Sequence, residues 1–324
     1  MPTRDQILAA IRANPRLPAP PQILFRILEA TRDPNASLTR IADFIHQDSG
    51  LSAGLLRQAN SAVFAGASPT SSVATACMRL GLKQVRAAVL NQHIVNGLSS
   101  TRPPGFKPER HWQSALAASV AAQALCGKVL PPMAEDASTA GLMCDIGIGL
   151  MAYSLPKDYQ KVLDEWLKRP DGDLERIEAR LLGITHAEVG AAILTDWKLD
   201  AHLRDAVRWH HIDPIAPPPG GIAPFVRAVA AAVLIGRIAL DGTDMDRVTA
   251  LFAMLDGLTK NPDALVTLLL DDLVVKIQET AKSFSVELGN VDALQANIEG
   301  FSSALPDLSE KMSFRPMARE PGLI

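Results

Sequence analysis

The stretch "DPNASLTRIADFIHQDSGLSAGLLRQANSAVF" (residues 33–64) decides the fold, because its apolar side chains recur three and four residues apart on both sides of a short turn. Ser37 supplies an oxygen that can cap a first helix, and the "DSG" turn separates this helix from a second one. The apolar faces consist of Leu38, Ile41, Ala42 and Ile45 in the first helix and of Leu51, Leu55 and Ala59 in the second. The stretch therefore predicts two short amphipathic helices packed against a core.

The same helical spacing recurs in segment after segment of the 324-residue chain. Aromatic residues make up only 5% of the chain, and the alternating β-branched runs that are typical of strands are missing. Hydrophobic residues at 48% and charged residues at 21% are ordinary for a globular protein with a substantial core. We therefore predict an all-α fold.

Charge, cysteine usage and hydropathy limit the setting of the protein. The net charge of −3 gives no global electrostatic reason to expect nucleic acid or an anionic membrane as a partner. The most apolar run, residues 225–240, contains Arg227 and Arg237 and is short for a membrane span. The three cysteines are Cys77, Cys126 and Cys144. They form no CxxC pair, and the N-terminus lacks the unbroken apolar core of a signal peptide, so we expect a cytoplasmic protein.

Two groups of motifs point to a protein family. The N-terminal half carries "I-x-x-D-x-x-L-S-x-x-L-L-R-x-A-N-S-A" (45–62), preceded by Leu17 and Pro18 and followed by "A-x-x-x-L-G-x-x-x-V-R" (76–86). The second half contributes "HWQSALAAS" (111–119), "AGLMCDIG" (140–147), "HAEVGAAIL" (186–194) and "WHH" (209–211). Over roughly residues 15–215 the chain resembles the HDOD domain, an all-helical relative of the HD phosphohydrolase superfamily. The spacing between the Ala-Asn-Ser-Ala run and the Leu-Gly run is its most specific feature.

The resemblance implies a module of two helical parts, found in bacterial signalling and regulatory proteins that mostly lack a complete catalytic metal set. We expect an N-terminal helical subdomain in residues 1–105 and a degenerate HD-like helical subdomain in residues 106–240. Their boundary is expected in the Pro- and Gly-rich stretch 99–110. A C-terminal helical extension is expected in residues 241–302, and a loose tail in residues 303–324, where periodicity is lost.

The resemblance also implies where a metal site would lie. HD hydrolases bring histidines and carboxylates together around one or two divalent metals, which activate a water and neutralise a phosphoester. The matching positions are Ser114, Cys144, Asp145, His186 and either His210 or His211, with Asp145 inside one apolar helical run over residues 140–153. Ser114 is a poor ligand, and Cys144 stands where the superfamily has a histidine. We therefore expect no catalytic residue, no cofactor and no metal. If a metal does bind, its expected ligands are Cys144, Asp145, His186 and His210.

Each of these residues also has a purely structural interpretation. Cys144 is either a zinc-binding thiolate or a small buried apolar residue. His186 follows Thr185 and precedes Glu188, a capping box in which the imidazole is simply a packed first-turn side chain. The histidine pair 210–211 lies near a helix C-terminus, where the helix dipole favours a protonated imidazole.

Two further patterns carry functional interpretations beside structural ones. Arg79, Lys83 and Arg86 share a helical neighbourhood and are candidates for an anion contact, or else they form a solvated face. Residues 37–60 also resemble a helix-turn-helix, but the second helix begins Leu-Ser-Ala-Gly and carries Arg57 only late. Two packed core helices are therefore favoured over a DNA-reading unit.

We therefore expect a bacterial signalling or regulatory module that is not an enzyme and acts by protein–protein contacts with signalling proteins in trans. A small nucleotide in the groove between the two halves is an additional expectation. Two alternatives stay open. A metal-dependent phosphohydrolase with a rebuilt site would hold its metal through Asp145 and His186, and a DNA-binding regulator would contact DNA through Arg57.

Overall fold

The structure is a computed structural model that describes residues 3–14, 26–27, 30, 37–61, 64, 66, 68–98, 106–168, 174–213, 221–284 and 286–313. Across these ranges the chain forms α-helices and one short 3-10 turn, and its β content is one isolated bridge between Asp256 and Thr259. The predicted all-α fold is confirmed. The segment "PPQILFRILEAT" (20–31) also predicts a helix that opens on proline, and it lies outside the described ranges except for Arg26, Ile27 and Ala30.

Caps and a glycine set the helix bounds of the N-terminal part. Its helices are α1 (Arg4–Arg12), α2 (Leu38–His46), α3 (Ser49–Ala59) and α4 (Val73–Leu98). The hydroxyl of Ser37 accepts a hydrogen bond from the Arg40 N–H at 3.4 Å, which confirms the predicted cap. Asp48 caps α3 in the same way, accepting from the Leu51 N–H at 2.9 Å. Gly81 interrupts α4 with a φ of 76°, at the predicted glycine break.

The second part is built around one central helix. Its elements are α5 (Pro108–Val129), the 3-10 turn Pro131–Met133, α6 (Ala134–Met143), α7 (Ile146–Ser154), α8 (Pro156–Lys168), α9 (Leu174–Leu182), α10 (His186–Asp196), α11 (Ala201–Trp209) and α12 (Pro224–Asp241). Both α6 and α12 pack closely on α5. A Cβ added at Gly141 would lie 2.6 Å from the Ala118 carbonyl oxygen, and one at Gly236 would lie 3.0 Å from the Ala118 nitrogen. Small residues therefore let both backbones approach α5 at Ala118.

The most apolar run of the sequence, residues 225–240, lies within α12 and is mostly buried against the bundle. Its helix packs on α5, α11 and α13 (Met245–Leu255). Its apolar character is thus accounted for by burial in the protein core. Of the helices in the described ranges, none combines the length and the apolarity that a membrane crossing requires.

The C-terminal extension is helical for longer than its sequence suggests. After α13 it contains α14 (Pro262–Leu270), α15 (Leu273–Phe284) and α16 (Val291–Ser313). The loose tail expected from residue 303 is therefore wrong for residues 303–313. Leu305 and Leu308 continue the apolar spacing and are buried, so packing holds the helix together despite Pro306 inside it. Residues 314–324 lie outside the described ranges.

Contacts across the expected boundaries tie the parts together. Arg86 of α4 forms an ion pair with Asp200, the residue before α11. Arg57 of α3 donates to the Ser283 carbonyl of α15 at 3.0 Å. The first helix, α1, contacts α7 of the second part. These contacts join segments on both sides of the expected boundaries and do not locate a boundary. The proposed domain bounds therefore stay a prediction.

The three cations proposed for an anion contact are held by separate partners. Arg79 donates to two backbone carbonyls, one at the end of α3 and one in the following loop, at 3.0 and 2.9 Å. Lys83 donates to the Pro132 carbonyl at 2.8 Å, and Arg86 pairs with Asp200. Each charge stabilises a separate contact between segments, and the three do not converge on one point. This geometry does not support a shared anion contact, which stays a prediction.

Native Cys77 and Cys126 are predicted to resist thiol reagents. Both are fully buried, and burial raises the pKa of Cys77 to about 11 and that of Cys126 to about 12. Thiolate is therefore scarce near neutral pH, and reactivity increases only toward these pKa values or on unfolding. Ellman's reagent should label both thiols in guanidinium chloride and neither in the native protein in neutral buffer. Rapid labelling of either thiol in the native protein would contradict this burial.

Candidate metal centre

Asp145 lies at a break between α6 and α7. The single helix predicted over residues 140–153 is therefore wrong, because α6 ends at Met143 and α7 begins at Ile146. The break lets α7 pack against the start of α10, and Gly147 permits the close approach. A Cβ at Gly147 would lie 2.0 Å from the His186 carbonyl oxygen. The Asp-Ile-Gly sequence thus brings the Asp145 carboxylate next to His186.

His186 begins α10 and is fixed by a buried carboxylate. The capping box of Thr185 and Glu188 is present as predicted. The fully buried Glu178 accepts two hydrogen bonds from His186, at 2.7 Å from the backbone N–H and 2.7 Å from Nδ1. The Tyr159 hydroxyl donates to the other Glu178 oxygen at 2.6 Å. With Nδ1 bound in this way, His186 directs Nε2 toward Asp145.

The histidine pair that follows α11 completes the cluster. His210 is buried, and its Nδ1–H donates a hydrogen bond to the Val207 carbonyl oxygen at 2.7 Å, because a carbonyl can only accept. Nε2 of His210 therefore also faces the interior. The sequence leaves open whether His210 or His211 belongs to the site, and the structure brings both to it.

The cluster, defined as Asp145, His186, His210 and His211, has all four side chains converging on one point. Its potential ligand atoms all lie within 4.8 Å of one another. Nε2 of His186 lies 3.4 Å from Nε2 of His210 and 3.0 Å from Nε2 of His211. Oδ1 of Asp145 lies 3.5 Å from Nε2 of His186 and 3.4 Å from Nε2 of His210. This oxygen is buried, yet none of these approaches gives it a hydrogen bond of good geometry.

The donor set fits a divalent metal ion. Imidazole nitrogens and a carboxylate oxygen are ligands of zinc, iron and manganese. Histidines that bind metals commonly donate their other ring N–H to a carboxylate or a backbone carbonyl, as His186 and His210 do here. The buried Oδ1 of Asp145 also requires a cation. The residues present therefore fit one metal ion, although two ligands expected in the superfamily are replaced.

A proton is the other occupant that the cluster can hold. Burial lowers the pKa of His186, but the Glu178 carboxylate, with Asp145 adding to it, outweighs burial and raises that pKa to about 9. A protonated His186 donates through Nδ1 to Glu178 and carries its second proton on Nε2, between the other imidazoles. Burial lowers the pKa of His211 well below its usual value, and the neighbouring His210 and Arg237 lower it further, so His211 stays neutral.

The other predicted site residues lie beside the cluster. Ser114 donates to Oδ2 of Asp145 at 3.3 Å, so it supports the carboxylate instead of leaving it unpaired. Cys144 is buried and does not belong to the cluster, and burial raises the pKa of its thiol well above the usual value. His211 therefore takes the place expected for Cys144. The expected absence of a metal stays a prediction, and the geometry speaks against it.

Sequence reasoning missed the residues that support the cluster. Tyr159 lies on α8 and Glu178 on α9, and the resemblance does not connect these helices with the site. Arg237 of α12 lies 3.8 Å from Oδ1 of Asp145 and donates to Nε2 of His211 at 3.2 Å. The one available signal was a charged residue within the most apolar run of the chain, which marks Arg237 as a buried cation in need of a partner.

The chain belongs to the HDOD domain family, whose family profile matches residues 17–213, more than half of its length. The profile covers the cluster and ends before Arg237. The predicted resemblance is therefore confirmed. Family membership agrees with the all-helical fold, but function depends on the individual site.

Individual proteins support the fold and leave the activity open. An HDOD domain protein of unknown function from Geobacter sulfurreducens has a TM-score of 0.69 at 23% identity, covering 86% of this chain and 98% of its own. A solved protein from Shewanella amazonensis SB2B has a TM-score of 0.68 at 22% identity, covering 86% of this chain and 97% of its own. Solved proteins of this fold carry provisional names that point to phosphohydrolysis in one case and to signal transduction in another.

A curated relative is longer than this chain. An uncharacterized protein of Treponema pallidum (strain Nichols) is 27% identical over 230 residues, which is 70% of this chain and 43% of the relative. The chain thus spans less than half the length of this relative. The relative's printed name gives no activity that would decide between an enzyme and a regulatory module.

Metal-free protein is predicted to bind about one zinc ion per chain at the cluster. The potential ligand atoms of the three imidazoles and the carboxylate all lie within 4.8 Å of one another, which suits a single tetrahedral ion. Isothermal titration should give a single site that is lost in Asp145→Ala and in His186→Ala. His202→Ala is the matched control, because His202 forms a separate pair with Asp136. Zinc binding that survives Asp145→Ala, or no binding to the wild type, would contradict the assignment.

Replacing Glu178 is predicted to destabilise the whole bundle. Glu178→Ala leaves two donors of His186 and one of Tyr159 without an acceptor in a dry environment. We expect the free energy of unfolding to fall by about 3–5 kcal/mol in urea denaturation. The control Glu175→Ala, on the same helix and half-buried, should change it by less than about 0.5 kcal/mol. Equal effects of the two variants would show that Glu178 does not hold His186.

Proposed function

We propose that the chain is a non-catalytic regulatory module of the HDOD family, in which the cluster serves as a structural ion site. The observation that supports this is the closure of the cluster. The side chains of His186 and His210 are 0% exposed and that of Asp145 is 9% exposed, while His211 is half-buried. A metal-dependent hydrolase keeps an open position where a substrate meets an activated water. A closed set of protein ligands suits a structural site instead.

The residues of the cluster join separate elements of the second part. Asp145 precedes α7, His186 begins α10, and the pair 210–211 follows α11. A bound divalent ion would supply positive charge to the Asp145 carboxylate and cross-link these elements. Glu178 orients one imidazole, the Val207 carbonyl orients a second, and the Ser114 hydroxyl donates to Asp145. The chain's own groups thus arrange the site before any ion arrives.

A metal-dependent phosphohydrolase is the second candidate, because the cluster fits a metal. Two features weigh against it. Ser114 replaces a ligand and bonds Asp145, and Cys144 replaces another with a thiol whose pKa burial raises well above the usual value. The retained ligands form a smaller site. Such a site offers fewer cationic groups to neutralise a phosphoester than the superfamily mechanism uses.

Regulation is proposed to work through contacts with signalling proteins in trans, in a cytoplasmic setting. Family membership is consistent with that setting. The DNA-binding alternative receives little support, because Arg57 is held by the Ser283 carbonyl of α15 at 3.0 Å. A small nucleotide in the groove between the halves stays a prediction, since the described contacts do not test it.

The enzyme and the non-enzyme are separated by a hydrolysis assay. Metal-free protein loaded with Mn²⁺, Fe²⁺ or Zn²⁺ is expected to hydrolyse p-nitrophenyl phosphate and bis-p-nitrophenyl phosphate no faster than Asp145→Ala. The matched control is Asp136→Ala, which removes a carboxylate outside the cluster. Metal-dependent turnover that is kept in Asp136→Ala and lost in Asp145→Ala would overturn the proposal and establish the phosphohydrolase.

A further inference from the structure

The guanidinium of Arg237 lies beside the cluster, where a bound metal ion would otherwise supply the positive charge. It projects from α12, a helix outside the segment that the family profile matches. Its side chain is 29% exposed, and its guanidinium lies 3.8 Å from Oδ1 of Asp145. The same terminal nitrogen donates to Nε2 of His211 at 3.2 Å. Two members of the cluster are therefore already in contact with a cation that belongs to the chain.

The contact with His211 excludes a metal from that nitrogen. A neutral imidazole has one nitrogen with a free electron pair, and this pair either accepts an N–H or binds a metal. While Arg237 donates to Nε2 of His211, a metal can use only Asp145, His186 and His210. A guanidinium close to the Asp145 carboxylate also opposes a second cation there, because like charges repel strongly in a dry site.

Another arginine of the same helix has a different role. Arg227 donates to the backbone carbonyls of Ala253 and Met254 at 2.6 and 3.2 Å, and so joins α12 to α13. Both arginines are half-buried on α12. Arg227 therefore provides a control for removing a guanidinium from this helix without touching the cluster.

We propose that Arg237 is an internal cation that competes with a divalent metal for Asp145 and His211. In the metal-free state it lies beside the buried carboxylate, and together with Nε2 of His186 it occupies the electron pair of His211. In the metal-bound state it is displaced, and His211 becomes the fourth ligand. The ligand is a borderline divalent ion such as Zn²⁺. The inference rests on the ion site of the proposed function, and it does not depend on whether the protein is an enzyme.

Zinc affinity measures the competition directly. Metal-free wild type, Arg237→Gln and the control Arg227→Gln are titrated with chelator-buffered Zn²⁺, and folding is checked by circular dichroism. We expect Arg237→Gln to bind zinc about tenfold more tightly or better, because a charge-assisted contact no longer has to be broken. Arg227→Gln is expected to bind like the wild type. The conservative Arg237→Lys, which keeps the charge near Asp145, should fall between the wild type and Arg237→Gln.

A double-mutant cycle with His211→Ala locates the effect. If Arg237 competes for His211, the gain from Arg237→Gln shrinks in the His211→Ala background. An unchanged or weaker zinc affinity in folded Arg237→Gln would overturn the inference, as would a gain that His211→Ala leaves intact or the absence of zinc binding in every variant. Absence of zinc binding in every variant would also overturn the ion site of the proposed function. Zinc binding that Arg237→Gln does not strengthen, or a gain that His211→Ala leaves intact, would overturn the Arg237 inference alone.

Discussion

The buried charge of Asp145 is the constraint on which the second half of the structure depends. Burial alone would raise the pKa of this carboxyl, but His210, Arg237 and His186 hold it well below its usual value. An unpaired carboxylate in an apolar helical bundle would cost several kcal/mol. The elements that supply the compensating groups are therefore held around this residue. The need to compensate the Asp145 charge therefore governs both the packing of the bundle and the chemistry of the site.

Glu178 supports the cluster from outside by holding one of its imidazoles. Among the described contacts it has none with Asp145, but it fixes His186, whose Nε2 lies 3.5 Å from Oδ1 of Asp145. Tyr159 in turn bonds Glu178. Each group is held by the next, so the orientation of His186 is determined before any ion or proton is present. Such support is characteristic of metal-ligating histidines.

Much of the fold could be read from the chain because its signals are local. The Ser37 cap, the Gly81 break and the Thr185–Glu188 capping box depend on residues within one turn of each other. The α6–α7 break was missed because it is imposed by the packing of Gly147 on α10, which leaves no trace in apolar spacing. The end of the last helix, residues 303–313, was missed because periodicity is weak beyond residue 302, whereas burial of Leu305 and Leu308 keeps the helix intact around Pro306.

The candidate site was likewise predictable from local signals and not from long-range packing. Motif positions identified Asp145, His186 and the histidine pair, but not which ring nitrogens face inward, since that depends on Glu178 and the Val207 carbonyl. Arg237 lies too far along the chain for any motif to connect it to His211. Long-range partners of this kind are set by how α12 lies on α5, and pairing of this sort is not encoded in local spacing.

The nine-residue helix α11 is held in place at both of its ends. Asp200, just before its first residue, is paired with Arg86 of the N-terminal half, and the histidine pair 210–211 follows directly after its last. A helix of this length spans about 13 Å and resists bending. The ion pair at one end of α11 therefore ties the placement of the imidazoles at its other end to the N-terminal half.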